Sequence, residues 1–276
     1  MNDSIKFSLI LSLYNKIKFH EIRRSLKSIY NQRLKPNEVV IVFDGPCNKA
    51  IKEYVLNFLQ IHFSGRYKVL YNKVNRGISY SYNRAIKKTL FNIVAIQDSD
   101  DISVKQRFHL QINEFKKNTN LTVLGGSVLE FRGNIKYIKK NPTNNNSIKR
   151  RLFIKNPINH PTVMINKKHL KANEIYKECN RMEDYYLWID LTSKRFIFKN
   201  LSNILVKTYI DRDFLNRRSS FSMIFSETKV QLLLIKKFKI YLLMFWFIFP
   251  LKVVYHLTPN GIKYYLRNLI NFFFSK

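Results

Sequence analysis

The sequence predicts an α/β fold: a mostly parallel sheet flanked by helices, followed by a helical extension rich in basic and aromatic residues. Three observations carry this. Short apolar runs alternate with stretches of helical spacing, several of the runs end in polar residues, and the composition changes after about residue 220. Taken in order, "FSLILSLYN" (7–15) and "EVVIVFDG" (38–45) are apolar runs of strand length, and "YKVLYN" (67–72) and "NIVAIQDSDD" (92–101) repeat the form. Between them, 20–32 (Ile22, Leu26, Ile29), 48–62 (Ile51, Val55, Leu59) and 78–90 (Ile78, Tyr82, Ile86, Leu90) space apolar residues as amphipathic helices do. Alternation of this kind implies βαβ units and a parallel sheet covered on both faces. Ligands gather at the carboxyl ends of such strands, where Tyr14–Asn15, Asp44–Gly45 and Asp98–Asp101 fall.

From about residue 120 the pattern loosens. "LTVLGGSVLEF" reads as a strand pair or bent strand, "NPTNNNS" (141–147) as a loop and "HPTVMIN" (160–166) as a strand. "MEDYYLWIDLTSK" (182–194) reads as a helix, with strands near 196–199 and 204–210. These boundaries divide the chain into a catalytic-type domain over 1–220 and a helical tail over 221–276. In the tail, "IYLLMFWFIFPL" (240–251) is uncharged and flanked by Lys236, Lys237, Lys239 and Lys252. A spanning helix needs roughly 20 apolar residues, so this run is expected either to lie in a membrane interface or to pack on the core. The basic and aromatic ending "YYLRNLINFFFSK" favours an anionic membrane surface.

With 276 residues, 46% of them hydrophobic, the chain can bury a substantial core. Seven Gly and seven Pro leave little room for long flexible linkers. Cys47 and Cys179 have neither metal-ligand spacing nor a disulfide framework, which suits a reducing compartment. The start, "MNDSIKFSLILSLYN", does not read as a signal peptide. The net charge of +31 would suit a nucleic-acid-binding protein, but no binding module accompanies it, and abundant Lys, Asn, Ile, Phe and Tyr fit an A/T-rich coding sequence. No nucleic-acid partner is expected.

Against that basic background, "QDSDD" (97–101) sets three carboxylates together. Capping of a helix beginning near 103 would use one of Ser99, Asp100 or Asp101, with Asp101 the favoured cap. It would not account for three acids.

In order along residues 5 to about 210, "SLILSLYN", "SLKSIYNQRLKPNEVVIVFDG", "NRGISYSYNRAI", "IVAIQDSDD", "NHPTVMIN" and "EDYYLWIDL" resemble the motifs of the family 2 glycosyltransferases, the inverting group with the GT-A fold. The tail is similar to those of members that build bacterial surface polysaccharides. The resemblance implies a Rossmann-like GT-A sheet and metal-assisted transfer from a nucleotide-sugar, a UDP-sugar above all, to a saccharide or lipid-linked saccharide acceptor. It places the enzyme in the cytoplasm, at the inner face of the cytoplasmic membrane. A catalytically inactive GT-A scaffold is the alternative, against which the retained acids speak.

The residues suit that chemistry. A departing nucleoside diphosphate accumulates negative charge, which Mg²⁺ or Mn²⁺ can stabilise. Such cations take one or two protein carboxylates beside phosphates and water. The resemblance implies Asp100 as the direct metal ligand, with Asp98 toward the ribose or a metal-bound water and Ser99 between them at the donor. Asp44 would accept hydrogen bonds from base or ribose, or else make an Asx-turn. The backbone of Leu13, Tyr14 and Asn15 would border the same pocket, and Asn75, Arg76 and Gly77 match an "N-x-G" element. The resemblance also places Asn83 at the nucleotide-sugar; members of the family often carry Arg before it, where this chain has Tyr82, which leaves that arginine's donor contact in question. Asp184 shares a helical face with Leu187, Trp188 and Leu191 and is the expected base, with Glu183 binding the acceptor or orienting its neighbour. His160 would lie near the diphosphate or the acceptor. Arg212, Arg217 and Arg218 form either a basic loop over the diphosphate or a solvated turn.

Overall fold

A computed structural model describes residues 5–170, 175–210, 221–239 and 241–258. The expected arginine loop, the last basic-aromatic segment and most of the chain start before residue 5 lie outside these described residues.

Four parallel strands form one half of the sheet: β1 (Phe7–Leu13), β2 (Glu38–Asp44), β3 (Tyr67–Asn72) and β4 (Ile93–Asp98), in the spatial order β3-β2-β1-β4. Their crossovers are α1 (Phe19–Tyr30), α2 (Lys49–Phe63) and α3 (Ile78–Lys88). Ile22, Leu26 and Ile29 of α1, and Ile51, Val55 and Leu59 of α2, are buried at the expected spacing. Alternate strand residues feed two cores. Leu9, Leu11, Val39 and Ile41 join the face covered by α1 and α2, whereas Ile10, Val40 and Val42 join the face covered by α3. That is the consequence of a side-chain period of two in a sheet buried on both sides.

Beyond β4 the sheet turns mixed. β5 (Ile102–Ser103) and α4 (Arg107–Lys117) lead to β6 (Val123–Arg132) and β7 (Ile135–Lys139), then α5 (Asn145–Leu152) and β8 (Met164–Asn166). α6 (Glu183–Ser193) precedes β9 (Phe198–Tyr209). β8 pairs antiparallel with β4 and β6; β9 runs parallel to β6 and antiparallel to β5. Three expectations change. The anticipated helix near 103 starts at Arg107 behind Gln106, so Asp101 caps nothing. The separate strands expected near 196–199 and 204–210 merge into β9, whereas the bent-strand reading of 121–131 holds in β6, whose register with β9 shifts around Ser127. Asn144 accepts the Ser147 N–H and starts α5 inside the predicted loop.

Two further helices follow, α7 (Phe221–Lys237) and α8 (Tyr241–Leu257). α7 is docked on the core through buried Val230 and Leu234, and Lys237 Nζ lies 3.0 Å from Asp190 on α6. No helix among the described residues is long and apolar enough to cross a membrane.

Candidate active site

Strand register sets the site. The carboxyl ends of four parallel neighbours finish at Asn72, Asp44, Leu13 and Asp98, so three polar side chains and the backbone after Leu13 line one edge of the sheet. Leu13 is fully buried, so only its backbone can border a ligand, while Tyr14 and Asn15 beyond it are exposed.

Asp44 is buried and its carboxylate is committed. Oδ1 accepts from Asn72 Nδ2 and from the Arg76 N–H, both at 2.8 Å, and Oδ2 accepts the Gly77 N–H at 2.9 Å. The acid thus shapes the 75–77 turn that opens α3. Asn75 Oδ1 takes a second, longer bond of 3.2 Å from the Gly77 N–H, and Gly77 has a positive φ of 82°. Gly45 also has a positive φ, and a Cβ there would stand 2.7 Å from the Asn75 nitrogen. Only glycine lets the two turns meet. The guanidinium of Arg76 lies 4.3 Å from the centre of the Tyr80 ring.

The 98–101 loop is pinned from below. Gln97 Nε2 donates to the carbonyls of Asp98 and Asp101, and Ser25 Oγ donates to that of Asp98. Arg107 is fully buried beneath it, donating to Ile96 O, Gln97 Oε1, Ser103 Oγ and Gln111 Oε1. Burial lowers its pKa to about 9 against the opposing charges of Asp98 and Asp101. Asp101, also buried, is pushed well above the carboxylate range, first by desolvation and then by Asp98 and Asp100. Asp98 and Asp100 are left at the opening, the first half-buried and the second exposed, with Ser99 buried between them.

Tyr82 supplies a partner from α3. Its hydroxyl donates to Asp98 Oδ1 at 2.7 Å, and its ring stacks on His160 with centroids 5.7 Å apart. Burial, then the charge of Asp98, keep the phenol protonated by pushing its pKa well above ordinary. His160 Nε2 lies 3.0 Å from the Tyr176 hydroxyl. Tyr176 is buried and lies within reach of the charge of both acid groups, through Asp184 and Asp98.

On the far side, Asp184 sits in the first turn of α6, its Oδ2 accepting from Asn156 Nδ2 at 2.7 Å and its Oδ1 from the Tyr185 N–H at 2.8 Å. Glu183 beside it is raised by burial and by the Asp184 charge, with His160 pulling the other way. Asn83 takes a different place from the expected nucleotide contact. Its Oδ1 accepts the N–H groups of Ile175 and Tyr176 at 2.9 and 2.8 Å, and its Nδ2 donates to Tyr176 O, so it clamps the Tyr176 segment onto α3.

The structure thus brings together Asp98, Tyr82, His160, Tyr176, Glu183 and Asp184, with the Asp44 turn on the neighbouring strand. Sequence reasoning missed Asn72, although it ends its strand as Asp44 does. It also missed Asn156 and Tyr176, which no local spacing marks. A cleft of about 1120 Å³ is lined by Ile175, Lys177, Asp190 of α6 and Leu233 of α7, among others.

No group of three or more metal-ligating side chains exists among the described residues. The Asp98–Asp100 pair suits a hard cation that completes its oxygen shell from a diphosphate. Tyr82 engages one oxygen of Asp98 and leaves the other.

Residues 8–172 match the model of glycosyl transferase family 2. The chain is 30% identical over 225 residues to the amylovoran biosynthesis glycosyltransferase AmsE of Erwinia amylovora, covering 81% of this chain and 84% of that protein. It is 28% identical to the UDP-Gal:alpha-D-GlcNAc-diphosphoundecaprenol beta-1,3-galactosyltransferase of Escherichia coli, over 83% of both chains. In fold it resembles S. aureus TarS, with a TM-score of 0.61 at 21% identity, over 84% of this chain and 40% of that one. A shorter TarS, 1–349, in complex with UDP-GlcNAc, has the same score and identity, with 67% of its length covered.

Proposed function

The chain belongs to glycosyl transferase family 2, and from that premise we propose that it is an inverting hexosyltransferase acting on a UDP-sugar and a saccharide acceptor in bacterial polysaccharide or glycolipid synthesis. The observation that carries this is the facing of two acid groups across one aromatic bridge. Asp98 and Asp100 end β4 on one side, Glu183 and Asp184 open α6 on the other, and Tyr82, His160 and Tyr176 lie between.

In this reading the Asp44 turn and the 13–15 backbone receive the nucleoside, and Asp100 with Asp98 holds Mn²⁺ or Mg²⁺ at the diphosphate. When bound, the cation offsets charge on the departing phosphates. Asp184, oriented by Asn156, takes the proton from the acceptor hydroxyl. The acceptor oxygen then bonds to the anomeric carbon from the face opposite the leaving group. The carbon–oxygen bond to phosphate breaks, and its electron pair leaves with UDP. One displacement inverts the centre and needs no covalent intermediate.

The names of the relatives support the finer substrate reading. The galactosyltransferase is named for UDP-Gal and a diphosphoundecaprenol-linked sugar. Carried to this chain, that points to a lipid-linked acceptor and to work at the inner face of the cytoplasmic membrane. A thermal-shift series with UDP tests the donor half. UDP should stabilise the protein only with Mn²⁺ or Mg²⁺ present, and Asp100→Asn should lose that increment while keeping its own melting transition. Equal stabilisation by UDP in chelator and in Mn²⁺ would refute the metal assignment.

A further inference from the structure

We infer that the outward face of α8 is a surface that seats the enzyme on an anionic lipid bilayer. This rests on the membrane placement proposed above and assigns it to one face of one helix. The two tail helices have different environments. α7 buries Val230, Gln231 and Leu234 completely against the catalytic domain, as a core helix does. α8 turns Phe245 and Ile248 toward that core, while Leu243, Trp246, Phe247, Leu251 and Val254 are 71, 72, 76, 71 and 62% exposed. Leu243, Phe247, Leu251 and Val254 recur at helical spacing, so they form one stripe, with Trp246 beside it. Single exposed apolar residues are ordinary, but a contiguous stripe of large ones marks a contact surface.

Charge selects the occupant. Lys252, within the apolar helix, is turned inward: its Nζ lies 2.7 Å from Oε1 of the buried Glu227. The outward stripe is thereby left uncharged. No Asp or Glu occurs in the chain after Glu227, whereas Lys236 and Lys239 stand exposed where α8 begins. A second copy of the same face would bring lysines against lysines. Anionic headgroups would meet them favourably, while the stripe enters the acyl boundary. A lipid surface is the partner with both properties.

The test uses the full-length protein with phosphatidylcholine vesicles, with and without phosphatidylglycerol. Of the two tryptophans, Trp188 is fully buried, so a blue shift of emission on adding vesicles reports Trp246. Wild type should shift and co-sediment with anionic vesicles, and lose part of the binding at high salt as the lysines are screened. Phe247→Glu with Leu251→Glu, at solvent-facing positions, should weaken partition by about tenfold or more. Ile61→Glu, at a position on α2 that is 73% exposed, should leave it unchanged. UDP stabilisation should be equal in all three proteins, which separates this inference from the catalytic one. Wild type that ignores anionic vesicles, or a double variant that binds them as well as wild type, overturns the proposal. A dimer that dissociates in the double variant, without vesicle binding by wild type, would assign the stripe to a second copy.

Discussion

Removing one oxygen from Tyr82 probes the centre of the site. Tyr82→Phe keeps the ring that stacks on His160 and deletes the hydroxyl that donates to Asp98 Oδ1 at 2.7 Å. A hydrogen bond to a charged group contributes about 1.5–3 kcal/mol, and the void left is small. The expected loss of stability is therefore about 1.5–3 kcal/mol in urea unfolding, with the midpoint shifted and the slope unchanged. Asp98 would also gain freedom to rotate at the position where we propose it meets the donor. UDP affinity in Mn²⁺ should fall about tenfold, equivalent to ~1.4 kcal/mol, while any affinity measured in chelator stays the same. That split matters, because general loosening of the fold would lower both. A variant as stable as wild type, with unaltered Mn²⁺-dependent UDP affinity, would refute the positioning role of Tyr82.

Asp184→Asn should retain the UDP-induced thermal shift and lose turnover by about a hundredfold or more, as expected for a base that acts on the acceptor; transfer at close to the wild-type rate would move the base to Glu183. Because burial raises the folded-state pKa of Glu183, the folded protein holds a proton there that the unfolded chain has released. Its contribution is complete below the ordinary carboxylate pKa and is lost as pH rises through the raised value. The stability difference between wild type and Glu183→Gln should change across that window, and a pH-independent difference in urea midpoints would contradict it. Gly45→Ala would place a Cβ 2.7 Å from the Asn75 nitrogen at a φ of 87°. It should cost about 1–3 kcal/mol and weaken UDP binding, with calorimetry and urea unfolding as the checks.

The parallel half of the fold was legible because each strand there is a single apolar run; α1 and α2 bury their expected faces, whereas of the face expected for α3 only Tyr82 and Ile86 are buried and Ile78 and Leu90 are exposed. The acids at the strand ends were legible for the same reason: a carboxylate closing a buried strand has nowhere to go but the sheet edge. What was hidden depended on contacts between distant segments. Tyr82 stood out in sequence only as a departure from a family habit, and its hydroxyl finds Asp98 only once α3 packs across β1 and β2. Asn83 was expected at the nucleotide, yet it grips residues 175–176, which no helical or strand period connects to it. Asp101 looked like a helix cap because a helix was expected to begin near 103. A two-residue strand, β5, intervenes and delays the helix.

That short strand bears on how the protein is made. Ile102 and Ser103, directly after the acidic loop, pair with Lys207 and Val206 of β9, and the Val104 N–H donates to Leu205 O. The acidic loop is thus closed by a segment synthesised long after it. A nascent chain emerging from the ribosome carries Asp98 and Asp100 early, without the strand that pins the residues behind them. Pairings so distant in sequence are slow to form because the intervening chain must first be ordered. Synthesis of the acids and completion of their support are therefore separate events, and a chain stopped before β9 would contain the acids without their finished support.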